Sequence, residues 1–357
     1  MSEPTLTGGA KPQATYLQVT EDAAGQRLDN FLIRHLKGVP KTHIYRIIRS
    51  GEVRINKGRA QADTKIALGD LVRLPPVRVS EKVAEKQEKP APARQFPILY
   101  EDDYLIAIDK PAGVAVHGGS GVSFGVIEQL RTARPGAKFL ELVHRLDKET
   151  SGILLVAKKR SALVHLQNQF KERETGKTYL ALVAGDWPAN KKVIDLPLHK
   201  YLLASDEVGA GERRVKVVAK DDPNGMRAIT LVKVMKKVDL LPLPLTLLPA
   251  LPGESRGGGT RATKPSTTPT PQTFTLLQVT IKTGRTHQIR VHLASQGHPI
   301  AGDDKYGDFE LNKALAKTSL KRMFLHAWQL QVTHPSSSLP LALQSPLPPD
   351  LQVLLPA

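Results

Sequence analysis

The composition of the chain limits its class before any motif is considered. It has 357 residues, 40% of them hydrophobic, and a formal net charge of +17. This length and hydrophobic content predict a mainly globular protein with room for two domains. The positive charge favours a polyanionic partner, with nucleic acid ahead of an anionic membrane. The absence of cysteine excludes disulfides, thiolate chemistry and Cys-ligated zinc.

Neither a membrane anchor nor a secretion signal is indicated. The most apolar stretch, residues 240–252, contains four prolines, a density that the interior of a spanning helix does not tolerate. The N-terminal sequence "MSEPTLTGGAKPQ" lacks the charged and then apolar layout of a signal peptide. We therefore expect a cytoplasmic protein with no membrane partner.

The N-terminal part of the chain predicts a small module behind a flexible tail. Residues 1–20 are interpreted as the tail, and residues 21–78 as the module. Helical spacing predicts two short amphipathic helices, followed by a turn and a short strand "EVRIN". The apolar positions of the two helices are Leu28, Phe31, Leu32 and Leu36, then Ile44, Ile47 and Ile48.

The same module carries an excess of positive charge. Residues 27–59 contain nine Lys or Arg against two Asp or Glu. A charge run of this kind can be an ordinary solvated face, but so little compensation favours a surface that binds phosphates. The strings "RLDNFL", "IYRIIRSGEVRINK" and "LGDLVRLP" resemble the S4 RNA-binding domain. The predicted RNA-binding residues are Arg27, Lys41, Arg46, Arg49, Arg54 and Lys57.

The rest of the chain predicts a larger domain of α+β class. Residues 79–96 are polar and are interpreted as a linker, and residues 97–340 as a domain with a mixed or antiparallel sheet. Segment 238–273 is low in complexity and is predicted to be a long surface loop, although its apolar half could instead dock on a surface. Residues 341–357 are predicted to form a C-terminal tail.

Three stretches of this domain place polar groups beside apolar runs. They are "HRLDKETSG" with Arg145 and Asp147, "GKTYLALV" with Tyr179, and "GRTHQIRVHLASQGHPIAGDDKYG" with Arg285 and Arg290. Taken singly, each has a plain structural interpretation, such as a turn aspartate, a half-buried strand tyrosine or a snorkelling arginine. His144, His287 and His292 are interpreted as structural, and no metal site is predicted.

Taken together, these strings resemble the catalytic motifs of the RluA-type family of pseudouridine synthases. The resemblance covers residues 22–235 and 274–335. It is most like the members that carry an S4 domain and modify large-subunit ribosomal RNA. The resemblance implies that Asp147 is the catalytic aspartate and that Arg290 pairs with it. It further implies that Tyr179 is the active-site tyrosine and that Arg145 helps displace the target base, with Arg285 a weaker candidate in the same region.

The implied reaction detaches uracil from C1′ of the ribose and reattaches it through C5. Nothing is oxidised, so we expect no cofactor. One carboxylate serves the cycle, either as a nucleophile or by stabilising a cationic or glycal intermediate, and the sequence does not decide between these. A hydrolytic glycosidase would require two carboxylates. The implied partner is large-subunit ribosomal RNA, free or in an assembling subunit, and a monomer is expected by default.

Two other functions are compatible with the charge. A non-catalytic S4-type RNA-binding or ribosome-assembly protein would need the basic module but not Asp147. A DNA-binding regulator is less well supported, because no helix-turn-helix pair with a clear recognition helix is predicted.

Overall fold

The computed structural model describes residues 14–21, 23–36, 38–77, 91–119, 122–203, 213–243, 270–318 and 320–355. The chain divides into two compact units. The first unit consists of residues 1–93 with 132–139, and the second of residues 94–131 with 140–357.

The first unit contains two helices and a small antiparallel sheet. Helices α1 (Leu28–His35) and α2 (Lys41–Arg49) bury their apolar faces in one core with Val53 and Val72, which confirms the predicted amphipathic pattern. The described sheet has the order β1-β4-β2-β3. Its strands are β1 (Thr15–Gln18), β2 (Arg54–Ile55), β3 (Gly58–Arg59) and β4 (Leu71–Leu74).

The predicted N-terminal tail is wrong for its last residues. Strand β1 lies inside segment 1–20 and pairs with β4, with Thr15 opposite Leu74 and Val19 almost fully buried. The partner strand is more than fifty positions away along the chain, so no local pattern announces the pairing. Residues 1–13 lie outside the described part of the chain.

The second unit is built on a sheet of ten described strands. Eight strands follow the order β10-β13-β14-β9-β15-β8-β6-β5, while β16 pairs with β15 and β7 with β8. The strands are β5 (Ile98–Glu101), β6 (Leu105–Lys110), β7 (Glu141–Leu142), β8 (Ser151–Ala157), β9 (Gly176–Ala184), β10 (Val193–Asp195), β13 (Ile229–Leu243), β14 (Thr270–Ile281), β15 (Leu325–Thr333) and β16 (Pro340–Gln344). A separate hairpin joins β11 (Leu198–Leu202) to β12 (Arg213–Val217).

Helices accompany this sheet. They are α3 (Val126–Ala133), α4 (Arg160–Glu172), α5 (Gln288–Ser295), α6 (Phe309–Thr318) and α7 (Pro349–Gln352). The pairing of β8 with β15 is parallel, and the other pairings of the described sheet are antiparallel. The predicted α+β fold with a mixed sheet is therefore confirmed.

The parallel junction between β8 and β15 explains one glycine of the motif "TSGILL". Every residue of β8 is buried, as its continuous apolar run predicts. Gly152 has φ +107°, and a Cβ added there would collide with the carbonyl group of Ala327 in β15. Only glycine combines this backbone angle with so close an approach of two strands.

Three predicted segment boundaries need correction. Strand β13 extends to Leu243 and β14 begins at Thr270, so both ends of the predicted loop 238–273 are paired strand, and residues 244–269 lie outside the described part. The predicted C-terminal tail 341–357 is also wrong, because β16 pairs with β15 and Leu351 and Leu354 are buried.

The predicted linker 79–96 likewise ends too late, since the side chain of Phe96 is buried in the core of the second unit. Composition describes such short packed segments poorly, because one or two apolar side chains suffice to anchor them. Within the described ranges, no helix combines the length and apolar character needed to cross a membrane.

Candidate active site

Strand register brings two of the three motifs together. Tyr179 of β9 lies opposite Ala327 of β15, and Ala327 lies opposite Gly152 of β8. Asp147 belongs to the loop that runs directly into β8. The register therefore places the tyrosine of one motif two strands away from the loop that carries the aspartate of another.

The third motif reaches the same place through β14. Val279 of β14 pairs with Tyr179, and the chain leaves β14 through a short turn into α5. Together the three motifs line a cavity of about 130 Å³. Its walls include all five residues predicted for catalysis or substrate binding, namely Arg145, Asp147, Tyr179, Arg285 and Arg290. Leu146, Ile281, Ile289 and Leu325 add an apolar lining.

Asp147 is held at the cavity by its neighbours in the chain. Its carbonyl oxygen accepts a turn hydrogen bond of 3.1 Å from the amide of Thr150. Leu146, the residue before it, is buried in the core beneath. With the backbone fixed on both sides, the carboxylate lies in the cavity with 20% of its side chain exposed.

Lys110, at the end of β6, also supports this loop. Its side chain is fully buried, and Nζ donates to the carbonyl oxygens of Pro111 at 2.8 Å, Val114 at 2.9 Å and Lys148 at 3.1 Å. Burial lowers the pKa of Lys110 to about 7, against the nearby charges of Glu149 and Asp147, which raise it. The bond to Lys148 ties the residue after Asp147 to the end of the neighbouring strand.

Arg290 has a closer partner than the one predicted. Its Nε and Nη2 donate to the two carboxylate oxygens of Asp303 at 2.7 and 2.6 Å, while Nη1 lies 3.7 Å from Oδ2 of Asp147. Arg290 thus makes the expected ion-pair contact with Asp147, but its two shortest hydrogen bonds go to Asp303, which was not predicted. A planar guanidinium can do both, because its fork binds one carboxylate while its remaining nitrogen faces another.

This pair is buried, which sets its electrostatics. Both side chains are at most 3% exposed. Burial by itself lowers the pKa of Arg290, but the hydrogen bonds and charge of Asp303, with the charge of Asp147, outweigh it and raise the pKa above its ordinary value. Burial raises the pKa of Asp303, and Arg290 overcomes this and lowers it. The cavity therefore keeps a fixed positive charge beside Asp147 at every physiological pH.

His287 and Tyr306 complete the surroundings of Asp147. Nε2 of His287 lies 3.8 Å from Oδ2 of Asp147, and Nδ1 lies 2.8 Å from the Tyr306 hydroxyl. The guanidinium carbon of Arg290 lies 5.2 Å from the centre of the Tyr306 ring. Burial lowers the pKa of His287, and Arg290 lowers it further, while Asp147 raises it. Together these influences lower the pKa of His287 below its ordinary value, which favours the neutral imidazole.

The other predicted side chains differ in their exposure. Burial, and then the charge of Asp147, raise the pKa of Tyr179, so its phenol stays protonated across the neutral range. Arg145 is exposed. Arg285 is half-buried, and its Nε donates to the carbonyl oxygen of Arg227 at 3.2 Å.

Two of the histidines in these motifs are structural, as predicted. Nε2 of His144 accepts a hydrogen bond from the amide of Leu155, and burial lowers the pKa of this imidazole to about 4. His292 is fully buried between Thr230 and the carbonyl oxygen of Leu196. Among the described residues, no group of three or more His, Asp or Glu side chains could hold a metal ion.

The residues predicted to bind RNA lie in the first unit, and those in the described part are exposed. Lys41, Arg46 and Arg49 belong to α2, and Arg54 and Lys57 to the β2–β3 hairpin. Arg27 differs from them because it makes a double hydrogen bond to Asp29. Lys37, which belongs to the same charge run, lies outside the described residues. Their role in RNA binding stays a prediction.

Four residues near Asp147 were not identified from the sequence. Asp303 and Tyr306 lie in the quoted string "GDDKYG", His287 was interpreted as structural, and Lys110 lies in "IDKP". An arginine on a buried helix requires a carboxylate partner, so the nearby acidic pair in "GDDKYG" was the available signal for Asp303. Lys110 carries no such signal, because backbone carbonyl groups are its partners.

Comparisons with known proteins agree with this site. Residues 104–295 match the RNA pseudouridylate synthase family, and residues 26–72 match the S4 domain. The chain is 45% identical over 345 residues to the ribosomal large subunit pseudouridine synthase C of Pasteurella multocida (strain Pm70), covering 96% of this chain and 93% of the relative. It is also 45% identical over 347 residues to the protein of the same name from Escherichia coli (strain K12), covering 96% and 95%.

A solved structure supports the fold. Human RNA pseudouridylate synthase domain containing 1 aligns with a TM-score of 0.51 and 22% identity, covering 74% of this chain and 90% of that chain. Family match, near full-length similarity and the clustering of the three motifs point the same way. The chain therefore belongs to the RluA-type RNA pseudouridylate synthase family and carries an S4 domain at residues 26–72.

Proposed function

We propose that this protein isomerises specific uridines of large-subunit ribosomal RNA to pseudouridine, with Asp147 as the catalytic residue. The observation that carries the proposal is the position of the Asp147 carboxylate. It is partly buried in the cavity that Tyr179 also lines, 3.7 Å from an arginine that is itself fixed to Asp303. The names of the near full-length relatives support the choice of RNA.

The proposed reaction breaks the C1′–N1 bond, turns the uracil and forms a C1′–C5 bond; C5 loses its proton and N1 gains one, so that the product is an isomer of uridine. Asp147 acts at C1′, either as a nucleophile or by stabilising the positive charge that develops on the sugar. Arg290 suits both routes. Its two strong hydrogen bonds go to Asp303, so its charge lies near Asp147 without covering Oδ2 by a short hydrogen bond.

The substrate uridine must leave its stack to reach this carboxylate. Flipping a base out costs about a few kcal/mol, which contacts to the displaced base and the vacated site must offset. Arg145 is exposed at the cavity and supplies the group that takes the space of the flipped base. The Tyr179 ring stacks on the uracil, and its protonated hydroxyl serves as a hydrogen-bond donor. The apolar lining limits the access of water to the detached base.

The first unit contributes affinity. Its exposed cations on α2 and the β2–β3 hairpin contact phosphates, and a second binding surface on the same chain raises the effective concentration of RNA at the cavity. In this proposal the protein acts as a monomer in the cytoplasm on ribosomal RNA, free or in an assembling subunit.

Replacing Asp147 tests the proposal. In cells that lack the native protein, Asp147→Asn should leave the target uridines of large-subunit RNA unmodified, while the wild-type chain restores pseudouridine at the same positions. The amide keeps the shape of the carboxylate and removes its charge, so folding and RNA affinity should be unchanged. Chemical mapping of pseudouridine measures the modification, and a filter-binding assay with the RNA measures the affinity.

Asp186→Asn is the matched control, because this aspartate is exposed and contacts only the surface lysine Lys237 in the described structure. It should restore modification fully. If Asp147→Asn also restored it, the catalytic role would be wrong, and a non-catalytic RNA-binding or assembly function would be the better explanation.

A further inference from the structure

His287 is in an unusual position for a residue at the start of a helix. It occupies the N-cap of α5 with φ 52°, in the left-handed region, yet its side chain makes no capping hydrogen bond. Gln288 holds this turn instead, since its Oε1 accepts hydrogen bonds from the Thr283 hydroxyl and the Arg285 amide. The strained backbone of His287 therefore serves to direct its imidazole toward the cavity, where residues of this kind commonly have a functional reason.

The hydrogen-bond partners of Tyr306 decide which imidazole nitrogen carries the proton. A tyrosine hydroxyl has one hydrogen to donate and lone pairs that accept. The amide of Val215 in β12 donates to this oxygen at 3.0 Å, and Nδ1 of His287 lies 2.8 Å from it. In the described part of the chain, Nδ1 is the group at hydrogen-bond distance that can accept from this hydroxyl, provided that it carries no proton. The Val215 amide, the Tyr306 hydroxyl and Nδ1 of His287 all have a hydrogen-bond partner when the Tyr306 hydroxyl donates to an unprotonated Nδ1.

Burial favours the neutral ring that this arrangement requires. Only 13% of the His287 side chain is exposed, and burial lowers its pKa; Asp147 and Asp303 oppose this, while Arg290 and Lys305 act in the same direction as burial. In a neutral imidazole with an unprotonated Nδ1, the proton resides on Nε2. Nε2 is the atom that faces Oδ2 of Asp147 at 3.8 Å.

We propose that Tyr306 fixes His287 as the neutral Nε2–H tautomer, and that His287 is a positioning residue which orients the Asp147 carboxylate as an uncharged donor beside Arg290. Nε2 of His287 and Nη1 of Arg290 lie just beyond hydrogen-bond distance of Oδ2 of Asp147, at 3.8 and 3.7 Å. Contacts of this length in free enzymes commonly shorten when substrate binds. The neutral donor can then fix the direction of the carboxylate while Arg290 provides the charge.

The tautomer of His287 can be observed directly by NMR, without an assay of enzyme activity. In the full-length protein labelled with ¹⁵N-histidine, long-range ¹H–¹⁵N spectra distinguish the two ring nitrogens, and the H287Q variant assigns the signal by its loss. We expect Nε2 protonated and Nδ1 unprotonated in the wild-type protein. Tyr306→Phe keeps the ring that packs on Arg290 and removes the hydroxyl, so His287 should become a mixture of tautomers. A wild-type His287 with the proton on Nδ1 would overturn the proposal.

Replacing His287 by Gln or by Asn tests the consequence for the reaction. This part of the inference rests on the proposed function. The Gln amide nitrogen reaches the position of Nε2, whereas the Asn amide nitrogen reaches only that of Nδ1. In single-turnover assays H287Q should therefore retain most of the rate, and H287N should lose about tenfold, the effect of one neutral hydrogen bond. The loss in Y306F should lie between the two, because part of its population keeps the proton on Nε2. RNA affinity should be unchanged in all three.

Equal rates for H287Q and H287N would show that the Nε2 donor has no role and would contradict the positioning of Asp147. The spectra of the free protein report the tautomer whatever the activity. A failure of this inference is therefore separate from a failure of the proposed function, which Asp147→Asn tests.

Discussion

Each of the two units contains an arginine that makes bidentate hydrogen bonds to an aspartate, and the two pairs differ in their exposure to solvent. Arg27 donates to Asp29 at 3.2 and 2.8 Å, and Arg290 donates to Asp303 at 2.7 and 2.6 Å. The Arg27 side chain is 50% exposed, whereas that of Arg290 is 3% exposed. The geometry is nearly the same, but in the first pair Arg27 is half exposed and Asp29 is buried, whereas both members of the second pair are buried.

This difference separates two uses of positive charge in one chain. In the S4 unit, solvent screens each cation, so each bound phosphate adds a small and salt-dependent increment to RNA binding. In the catalytic unit, one buried cation has its direction fixed by Asp303, and the neighbouring Asp147 experiences it with little screening. In the proposed function, the exposed positive charges therefore serve RNA affinity, and the one buried arginine serves the chemistry at Asp147.

The largest effect is expected from removing the buried arginine. Arg290→Ala leaves the fully buried Asp303 without its partner, and breaking a buried pair in this way costs about 3–5 kcal/mol. Pseudouridine formation should also be abolished. Arg27→Ala is the matched change, and it should have a much smaller effect because the Arg27 side chain is half exposed and solvent screens its attraction to Asp29. Urea unfolding of both variants measures the contrast, and equal destabilisation would contradict it.

A glycine in each unit extends the same contrast to the backbone. Gly152 and Gly51 both have positive φ, at +107° and +75°. A Cβ at Gly152 meets the Ala327 backbone, whereas at Gly51 it meets the flexible Arg59 side chain. Gly152→Ala should cost about 2–4 kcal/mol, and Gly51→Ala only about 1 kcal/mol. Thermal unfolding of the two variants checks the ranking, which would fail if Gly51→Ala were the more harmful.

Buried and exposed lysines should differ in their response to pH. The pKa of Lys110 falls from 10.5 to about 7 on folding, so between these values the unfolded chain binds more protons and stability rises with pH. Relative to Lys110→Met, the wild-type protein should gain on the order of 2 kcal/mol between pH 7 and pH 9. Urea unfolding at the two pH values measures this gain.

Lys57→Met, which replaces an exposed lysine by the same residue, controls for the loss of a lysine. A constant difference for Lys110→Met would mean that the three carbonyl groups keep the Lys110 ammonium protonated in this range.

The smallest effect on stability is expected at the exposed cations of α2. Replacing Lys41, Arg46 and Arg49 together by Gln should leave unfolding unchanged within about 0.5 kcal/mol, because surface substitutions of this kind rarely matter to folding. RNA affinity should fall, and the dependence of log K on log salt should become shallower by about 0.7–0.9 for each phosphate that is no longer neutralised. A binding titration at several salt concentrations measures this, and an unchanged slope would exclude these residues from the RNA surface.

Much of the fold and the site could be predicted because the relevant patterns are local. The apolar residues of α4 (Arg160–Glu172) recur at helical spacing within a few residues, and they are the ones that the helix buries. Strand β8 follows from one apolar run. In contrast, β1 and β16 were interpreted as tails, because a four- or five-residue strand depends on a partner elsewhere in the sheet.

The sequence by itself determined the family, and it predicted two domains and five of the side chains that line the cavity, because specific motifs preserve residue types and their order. Only the tertiary structure decided which polar and charged side chains contact one another. It paired Arg290 with Asp303, placed His287 beside Asp147 and bound Lys110 to the loop that carries Asp147. The physical reason is that hydrogen bonds and ion pairs depend on distances of a few ångströms between elements far apart in the chain, and the register of the sheet sets those distances.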